Sequence, residues 1–213
     1  MQTKKGQSIE DASMQMIEKE IGSHQYNEKE WPIVRRIIHS TADFDFADKN
    51  KIVFHKDAID SGMHALKNGC SIVVDVNGVI GGLNKQNPKD FGNNILCNIS
   101  NPEVMEIAKK EGKTRSQISM RIAQSEINGG IVVIGNAPTA LQEVIKMVKE
   151  GIVKPALIVG IPVGFICAAE SKEELSNLNE IPFITNIGRK GGSSSASAIV
   201  NAIFKLIRAE LTT

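Results

Sequence analysis

Apolar positions along this chain keep one period over the first forty residues and then change. Over residues 8–21, Ile9, Ser13, Met16 and Ile17 recur at i, i+4, i+7 and i+8, the spacing of one helix face. Ser8 and Asp11 stand where a capping box would open that helix, with Asp in place of the usual Glu. A serine in an apolar stripe has two readings: a small residue that lets a neighbour pack closely, or a hydroxyl turned into a site. A second helix is predicted over residues 27–40. Asn27 and Glu30 have capping-box spacing, and Pro32 falls in the first turn, where its missing N–H is harmless. Trp31, Val34, Ile37 and Ile38 form its apolar stripe. Arg36 and His39 lie one turn apart, away from that stripe.

Beyond residue 50, short continuous apolar runs alternate with amphipathic ones. KIVFH, SIVVDV, NNILCNI, GGIVVIGNAP, PALIVGIPVGF and IPFITNI read as strands. DAIDSGMHALKNG reads as a helix closed by Gly69. Residues 102–127 read as one long helix or two short ones, because Gly112 interrupts the pattern. Helices are also predicted over residues 139–150, over AAESKEELSNL and over residues 196–211, the last entered from the glycine-rich GRKGGSSS. Strands alternating with helices predict βα units: an α/β fold with an open, mostly parallel sheet, helices on both faces and the two N-terminal helices packed alongside. No linker, repeat or low-complexity tract divides the chain, so residues 1–213 are expected to form a single domain.

Composition narrows this further. Aromatic residues are only 4% of the chain, so the core must be built from Ile, Val, Leu, Ala and Met, which suits buried parallel strands. The net charge of +1, with no basic run, argues against nucleic acid as a partner. Cys70, Cys97 and Cys167 are odd in number and widely spaced, which fits neither a disulfide framework nor a zinc site, and they are expected to be buried small hydrophobes. MQTKKGQSIED lacks the apolar core of a signal peptide, and no apolar run approaches a membrane span. The expected location is therefore the cytoplasm, with no membrane partner.

In an open parallel sheet, ligands bind beyond the carboxyl ends of the strands. The loops predicted there are Asp75-Val76-Asn77-Gly78, residues 135–139, residues 164–172 and residues 188–195. Several run into helix N-termini, which favour anions. Thr139 and Ser193 have two readings, as helix N-caps or as hydrogen-bond donors to a carboxylate. No GKS or GKT follows the glycines and no G-x-G-x-x-G follows a strand, so nucleotide binding is a weak reading. His39 stands out among the four histidines because Arg36 precedes it by one turn and Ser40, Thr41, Asp43 and Asp45 follow it. It is either a helix-end dipole partner or a group for proton transfer. The acids would raise its pKa and Arg36 would lower it.

Five blocks in order carry a resemblance: RRIIHSTAD (35–43), KTRS (113–116), GNAPTAL (135–141), GIPVGFICAAESK (160–172) and GRKGGSSS (188–195). With their spacing, the chain resembles the precorrin-8X methylmutase and cobalt-precorrin-8 methylmutase family of cobalamin biosynthesis over nearly its whole length. The resemblance implies an isomerase that moves a methyl group from C-11 to C-12 of a corrinoid tetrapyrrole, giving hydrogenobyrinate or cobyrinate, without a cofactor. It implies His39 as the catalytic residue, protonating or hydrogen-bonding to the macrocycle, with Arg36 and Ser13 as substrate contacts. The bottom-up reading adds Arg115, Asn136, Thr139 and Ser193 as holders of the substrate's carboxylate arms, and Ile161, Val163 and Phe165 as apolar walls. No metal ligand set is expected, and any cobalt would belong to the substrate. The His39-Ser40-Thr41-Ala42-Asp43 form is closer to the cobalt-handling branch. A homodimer with its pocket near the subunit interface is implied by the resemblance alone.

Overall fold

A computed structural model describes residues 3–212, so the ends of the expected 1–213 domain, Met1, Gln2 and Thr213, lie outside the described residues. In chain order the elements are α1 (Lys4–Ile21), α2 (Glu30–Thr41), a 3-10 turn (Phe44–Ala47), β1 (Ile52–Phe54), α3 (Ala58–Lys67), β2 (Ile72–Val74), α4 (Asn77–Gly82), α5 (Gln86–Asp90) and β3 (Ile95–Leu96). They continue with α6 (Pro102–Glu111), α7 (Arg115–Ile122), α8 (Gln124–Ile127), β4 (Ile131–Ile134), α9 (Pro138–Lys149), β5 (Leu157–Gly160), α10 (Ala168–Ser176), β6 (Phe183–Asn186) and α11 (Ser193–Glu210). The strands form one sheet in the order β1-β6-β5-β4-β2-β3, parallel throughout except for β1, which runs antiparallel to β6.

The apolar strand runs are explained by cover on both faces. Ile72, Val74, Ile131, Val133, Leu157, Val159 and Ile184 point to one side, where α2, α3 and α11 close the core with Ile37, Leu66, Ile199 and Phe204. Val73, Val132, Ile134, Ile158 and Phe183 alternate to the other side, under Leu141, Val144, Met147 and Leu175 of α9 and α10. The period of two in each strand thus divides one sheet between two cores.

The N-terminal helices pack on α11 and on each other, as expected of elements outside the βα pattern. Their details differ from expectation. α1 begins at Lys4 because Thr3 caps it, accepting from the Gly6 N–H at 3.1 Å, while Ser8 is interior and donates to the Lys5 carbonyl. Of the expected stripe only Ile17 is buried; Ile9 and Met16 are 58% and 62% exposed, and Met14 and Ile21 take their place against the core. At α2 the Asn27–Glu30 bonds do form: Asn27 Oδ1 accepts from the Glu30 N–H at 2.9 Å, and Glu30 Oε2 from the Asn27 N–H at 3.0 Å. The stretch 102–127 folds as three helices, α6 closed by Gly112 in the left-handed region (φ 63°) and α7 opened by a Thr114–Gln117 capping box. The short helices α4 and α5 lie where a polar loop was expected, since Asn and Gly hide a one-turn helix from any periodicity test.

β2 and β4 are neighbours, yet the chain leaves β2 outward to β3 and leaves β4 the opposite way to β5. This is the topological switch point of the sheet, the place at the carboxyl ends where open α/β sheets commonly bind ligands. Gly135, the first residue after β4, permits α11 to close on it: a methyl group there would lie 2.9 Å from Ser193 Cα and 3.1 Å from Ala196 Cβ. Gly135→Ala is expected to lower stability by about 1–3 kcal/mol through this overpacking. A urea unfolding midpoint unchanged from wild type would refute the close approach.

Candidate functional site

The switch point is built around Asp75, the residue after β2, which is fully buried. Its Oδ1 accepts from the Gly135 N–H at 3.0 Å, and its Oδ2 from the Asn136 and Ala137 N–H groups at 2.8 and 2.7 Å. Burial pushes this carboxyl above the usual range, and the three N–H groups work against that push. The result is a fixed loop that leaves the Asn136 side chain exposed and starts α9 at Pro138.

The glycine-rich loop packs against the same end of the sheet. The Gly192 N–H donates to the Ile161 carbonyl at 3.0 Å, and a methyl group on Gly191 (φ 157°) would lie 2.3 Å from that oxygen. Ser193 follows as the first residue of α11, its hydroxyl seated against Gly78: a methyl group on Gly78 would lie 3.0 Å from Ser193 Oγ. The cap positions of α9 and α11 are held by Ala137 and Gly192, neither with a side-chain bond. Thr139 and Ser193 are therefore not N-caps, and their hydroxyls are not spent on helix ends. Thr139 Oγ1 instead accepts from Thr114 Oγ1 at 3.1 Å, which places the exposed Arg115, the next residue, on the α7–α9 side. Ser195, one turn into α11, is fully buried and its Oγ has no partner among the described residues.

His39 lies in the last turn of α2, half-buried, between two clefts. One, of about 230 Å³, is lined by Arg36, His39, Ser40, Gly82, Ser194 and Ser197 together with Ala198 and Asn201. The other, of about 240 Å³, is lined by Ser13, Met16, Ile17, Glu20, Ile38 and His39 with Ala42 and Phe44. His39 is the basic residue of that last turn, as a helix-end partner would be, while the carbonyls are bonded by others: the Ser40 and Thr41 hydroxyls both donate to the Ile37 carbonyl, and the Ala42 N–H donates to that of Ile38. Burial first, and then Arg36, hold the imidazole below the ordinary histidine range; Glu10 opposes them and Lys205 reinforces them. Asp43 and Asp45 do not raise it, because both are bound to Lys190 Nζ at 2.7 Å.

The structure thus brings Ser13, Arg36 and His39 together, with Ser193 at the seam where α11 meets Gly78 and Gly135. Arg115, Asn136 and Thr139 stand apart on the α7–α9 side and line neither His39 cleft. Ser13 Oγ donates to its own helix at Ile9 O, 2.8 Å, so toward the cleft it offers lone pairs. Arg36 donates to Glu10 Oε1 at 2.7 Å. Of the expected apolar walls, Ile161 is fully buried in the core beneath the loop and is no wall. Val163 and Phe165 are exposed, as is Ile166, and the Arg189 guanidinium lies 5.9 Å from the Phe165 ring centre. The three cysteines are free and only half-buried, short of the full burial expected.

Lys172 was not singled out by sequence reasoning, although it ends a recognised block. It is 1% exposed, and its Nζ donates to Asn186 Oδ1 at 3.1 Å and to the Lys190 carbonyl at 2.7 Å, with no carboxylate among these partners. Lys190 in turn reaches Asp43 and Asp45, so the glycine-rich loop is tied both to the sheet edge and to the turn after His39.

A titratable imidazole at the carboxyl end of a doubly covered parallel sheet, beside a helix start without a side-chain cap, describes an α/β enzyme. Comparison with known proteins is more specific. The family model for precorrin-8X methylmutase matches residues 8–206. The chain is 51% identical to the cobalt-precorrin-8 methylmutase of Priestia megaterium, over 92% of this chain and 86% of that one. It is 48% identical to the cobalt-precorrin-8 methylmutase of Leptospira interrogans, over 96% and 95%. The solved precorrin-8x methyl mutase of Thermus thermophilus superposes with a TM-score of 0.88 at 35% identity, covering 96% of this chain and 98% of that one. The chain belongs to the precorrin-8X methylmutase family and is an isomerase.

Burial pushes the Lys172 ammonium down from 10.5 to about 8. Between those values the unfolded chain binds more protons, so this residue makes stability rise with pH there. The gain is roughly 3 kcal/mol across the window. Lys172→Met is expected to flatten that rise in urea unfolding between pH 7.5 and 9.5. Parallel curves for the two proteins would contradict it.

Proposed function

We propose that this chain is a cobalamin-pathway methylmutase acting on cobalt-precorrin-8, or on its metal-free counterpart, and that His39 is its catalytic residue. Support for the substrate comes from the relatives: those of Priestia megaterium and Leptospira interrogans are cobalt-precorrin-8 methylmutases, and those of Sinorhizobium and Pseudomonas aeruginosa are precorrin-8X methylmutases. The single observation that carries the site is His39 itself, half-buried between two clefts that also hold Arg36 and Ser13. The reaction is a formal [1,5] shift: the bond from the methyl group to C-11 breaks, the bond to C-12 forms, and the double bonds relocate. No atom or electron is gained or lost, so the chain needs no redox partner and no cofactor. Any cobalt belongs to the macrocycle.

The depressed pKa keeps His39 neutral at neutral pH, so one ring nitrogen donates a hydrogen bond to the macrocycle and the other accepts one. Charge that develops on the ring as the methyl group moves is stabilised through that bond, and the remaining work is positioning. Arg36 and Ser13 hold the substrate near His39. Arg115, Asn136, Thr139 and Ser193 hold carboxylate arms further out, with the α11 N-terminus assisting. Val163 and Phe165 face the macrocycle or a second subunit. We read the chain as a single domain that forms a homodimer in the cytoplasm; the exposed Phe165 and Ile166, at 85% and 82%, favour a covered surface there.

Mixing the protein with cobalt-precorrin-8 or precorrin-8 is expected to change the visible spectrum within one turnover. His39→Ala should lower turnover by about 10²–10⁴-fold while product still binds. Binding without single-turnover conversion in the wild type would make the chain a carrier, and undiminished turnover in the variant would remove His39 from the mechanism.

A further inference from the structure

The cations around His39 meet on one carboxylate. Glu10 Oε1 on α1 accepts from Arg36 on α2 at 2.7 Å and also from Lys205 on α11, so three helices are pinned at one atom. The Glu10 side chain is 11% exposed and Arg36 21%, while Lys205 is 53% exposed. Arg36 sits at a boundary. It lines the cleft it shares with His39 and Ser194, and it also lines a neighbouring cleft of about 480 Å³ with Glu10, Arg35 and Lys205. An anionic substrate gains nothing from a carboxylate beside its arginine unless that carboxylate does other work. A guanidinium has five donors in a rigid fork, and fixing one edge aims the others.

We propose that Glu10 is a positioning residue of the active site: its carboxylate holds Arg36 so that the free edge of the guanidinium faces the His39 cleft, and it offsets two cations beside the imidazole. The charged groups around His39 are Arg36 from its own helix, Glu10 and Glu20 from α1, and Lys205 from α11. Asp43 and Asp45, beyond the helix end, are engaged by Lys190. Glu10 is the charge that supports the protonated imidazole against Arg36 and Lys205. Removing it withdraws that support and frees Arg36 to swing. Removing Lys205 takes away one opposing cation and leaves the Arg36–Glu10 pair in place.

The inference rests on the proposed role of His39 for its catalytic meaning, though not for its direct test. Two variants are compared, Glu10→Gln and Lys205→Met, the second at an exposed position where folding is least at risk. In the free protein, NMR titration of the His39 ring should move to lower pH in Glu10→Gln and to higher pH in Lys205→Met, each by roughly half a unit. In assays with cobalt-precorrin-8, KM should rise about tenfold in Glu10→Gln through the loose guanidinium. Ring titrations that stay put, or that move the same way in both variants, would overturn the proposal. So would a lower KM in Glu10→Gln, since Glu10 would then be competing with the substrate's carboxylates. Full turnover in His39→Ala would sink the catalytic role of His39 while leaving the titration shifts standing, so the two failures are distinguishable.

Discussion

One buried carboxylate organises the site end of the sheet. At the switch point the chain must leave β2 and β4 in opposite directions, and the backbone donors of the exit loops lose their ladder partners. Asp75 gathers three of them, from Gly135, Asn136 and Ala137. A carboxyl group with no solvent access is tolerable only when its oxygens are satisfied in this way. The bonds turn a loop into a fixed surface, and α11 can then settle on Gly135 closely enough that no side chain fits between them. The position of Ser193, and so of the α11 N-terminus, follows from a carboxylate it does not touch.

The site draws on two sources, and α11 joins them. The carboxyl ends of the strands supply the glycine-rich turn that leads into α11, while Asn136 and Thr139 stand apart from the His39 clefts. His39, Arg36 and Ser13 come from the N-terminal helices, which belong to no βα unit. The first turn of α11 meets the loops and reaches the cleft beside His39 through Ser194, the next two turns line that cleft through Ser197, Ala198 and Asn201, and Lys205 further along meets Glu10. A second strut runs from Lys172 through the Lys190 carbonyl, and from the Lys190 ammonium to Asp43 and Asp45. The turn that follows His39 is thus anchored to the sheet as well as to its own helix.

Much of this was legible from residue pattern. Continuous apolar runs located the strands, because burial on both faces removes the polar alternation. The antiparallel β1 was not legible, since three residues carry no direction. The site residues divided by the kind of signal they give. His39 and Arg36 share a helix, so their spacing alone placed them side by side. Ser13 joined them only through the packing of α1 on α2. Thr139 and Ser193 looked like caps because hydroxyl residues favour helix starts, yet each lies one or two residues inside its helix behind a residue with no capping side chain. Ile161 looked like a wall and is core, because burial continues through Pro162 and the chain reaches the surface only from Val163. Glu10 and Lys172 were unreadable: a glutamate on a solvated helix and a lysine in a helical run are ordinary until packing encloses them.

On the proposed reading, the electrostatics account for how a near-neutral chain can receive a substrate with many carboxylate arms. Around His39 the cations are already partnered: Arg36 at the cleft and Lys205 beyond it with Glu10, and nearby Lys190 with two aspartates. Arg115 and Arg189 are exposed and, among the described residues, make no ion pair. Long-range attraction then falls to the rim, where free arginines can swing to meet carboxylate arms. The centre offers hydroxyls, backbone N–H groups and one imidazole, groups that bind in a defined geometry without adding net charge. If His39 were surrounded by unpaired cations, its protonated form would be suppressed further and its surroundings would collapse around any anion. Paired cations keep their geometry whether or not substrate is present. For the methyl shift proposed above, fixed geometry counts for more than added attraction.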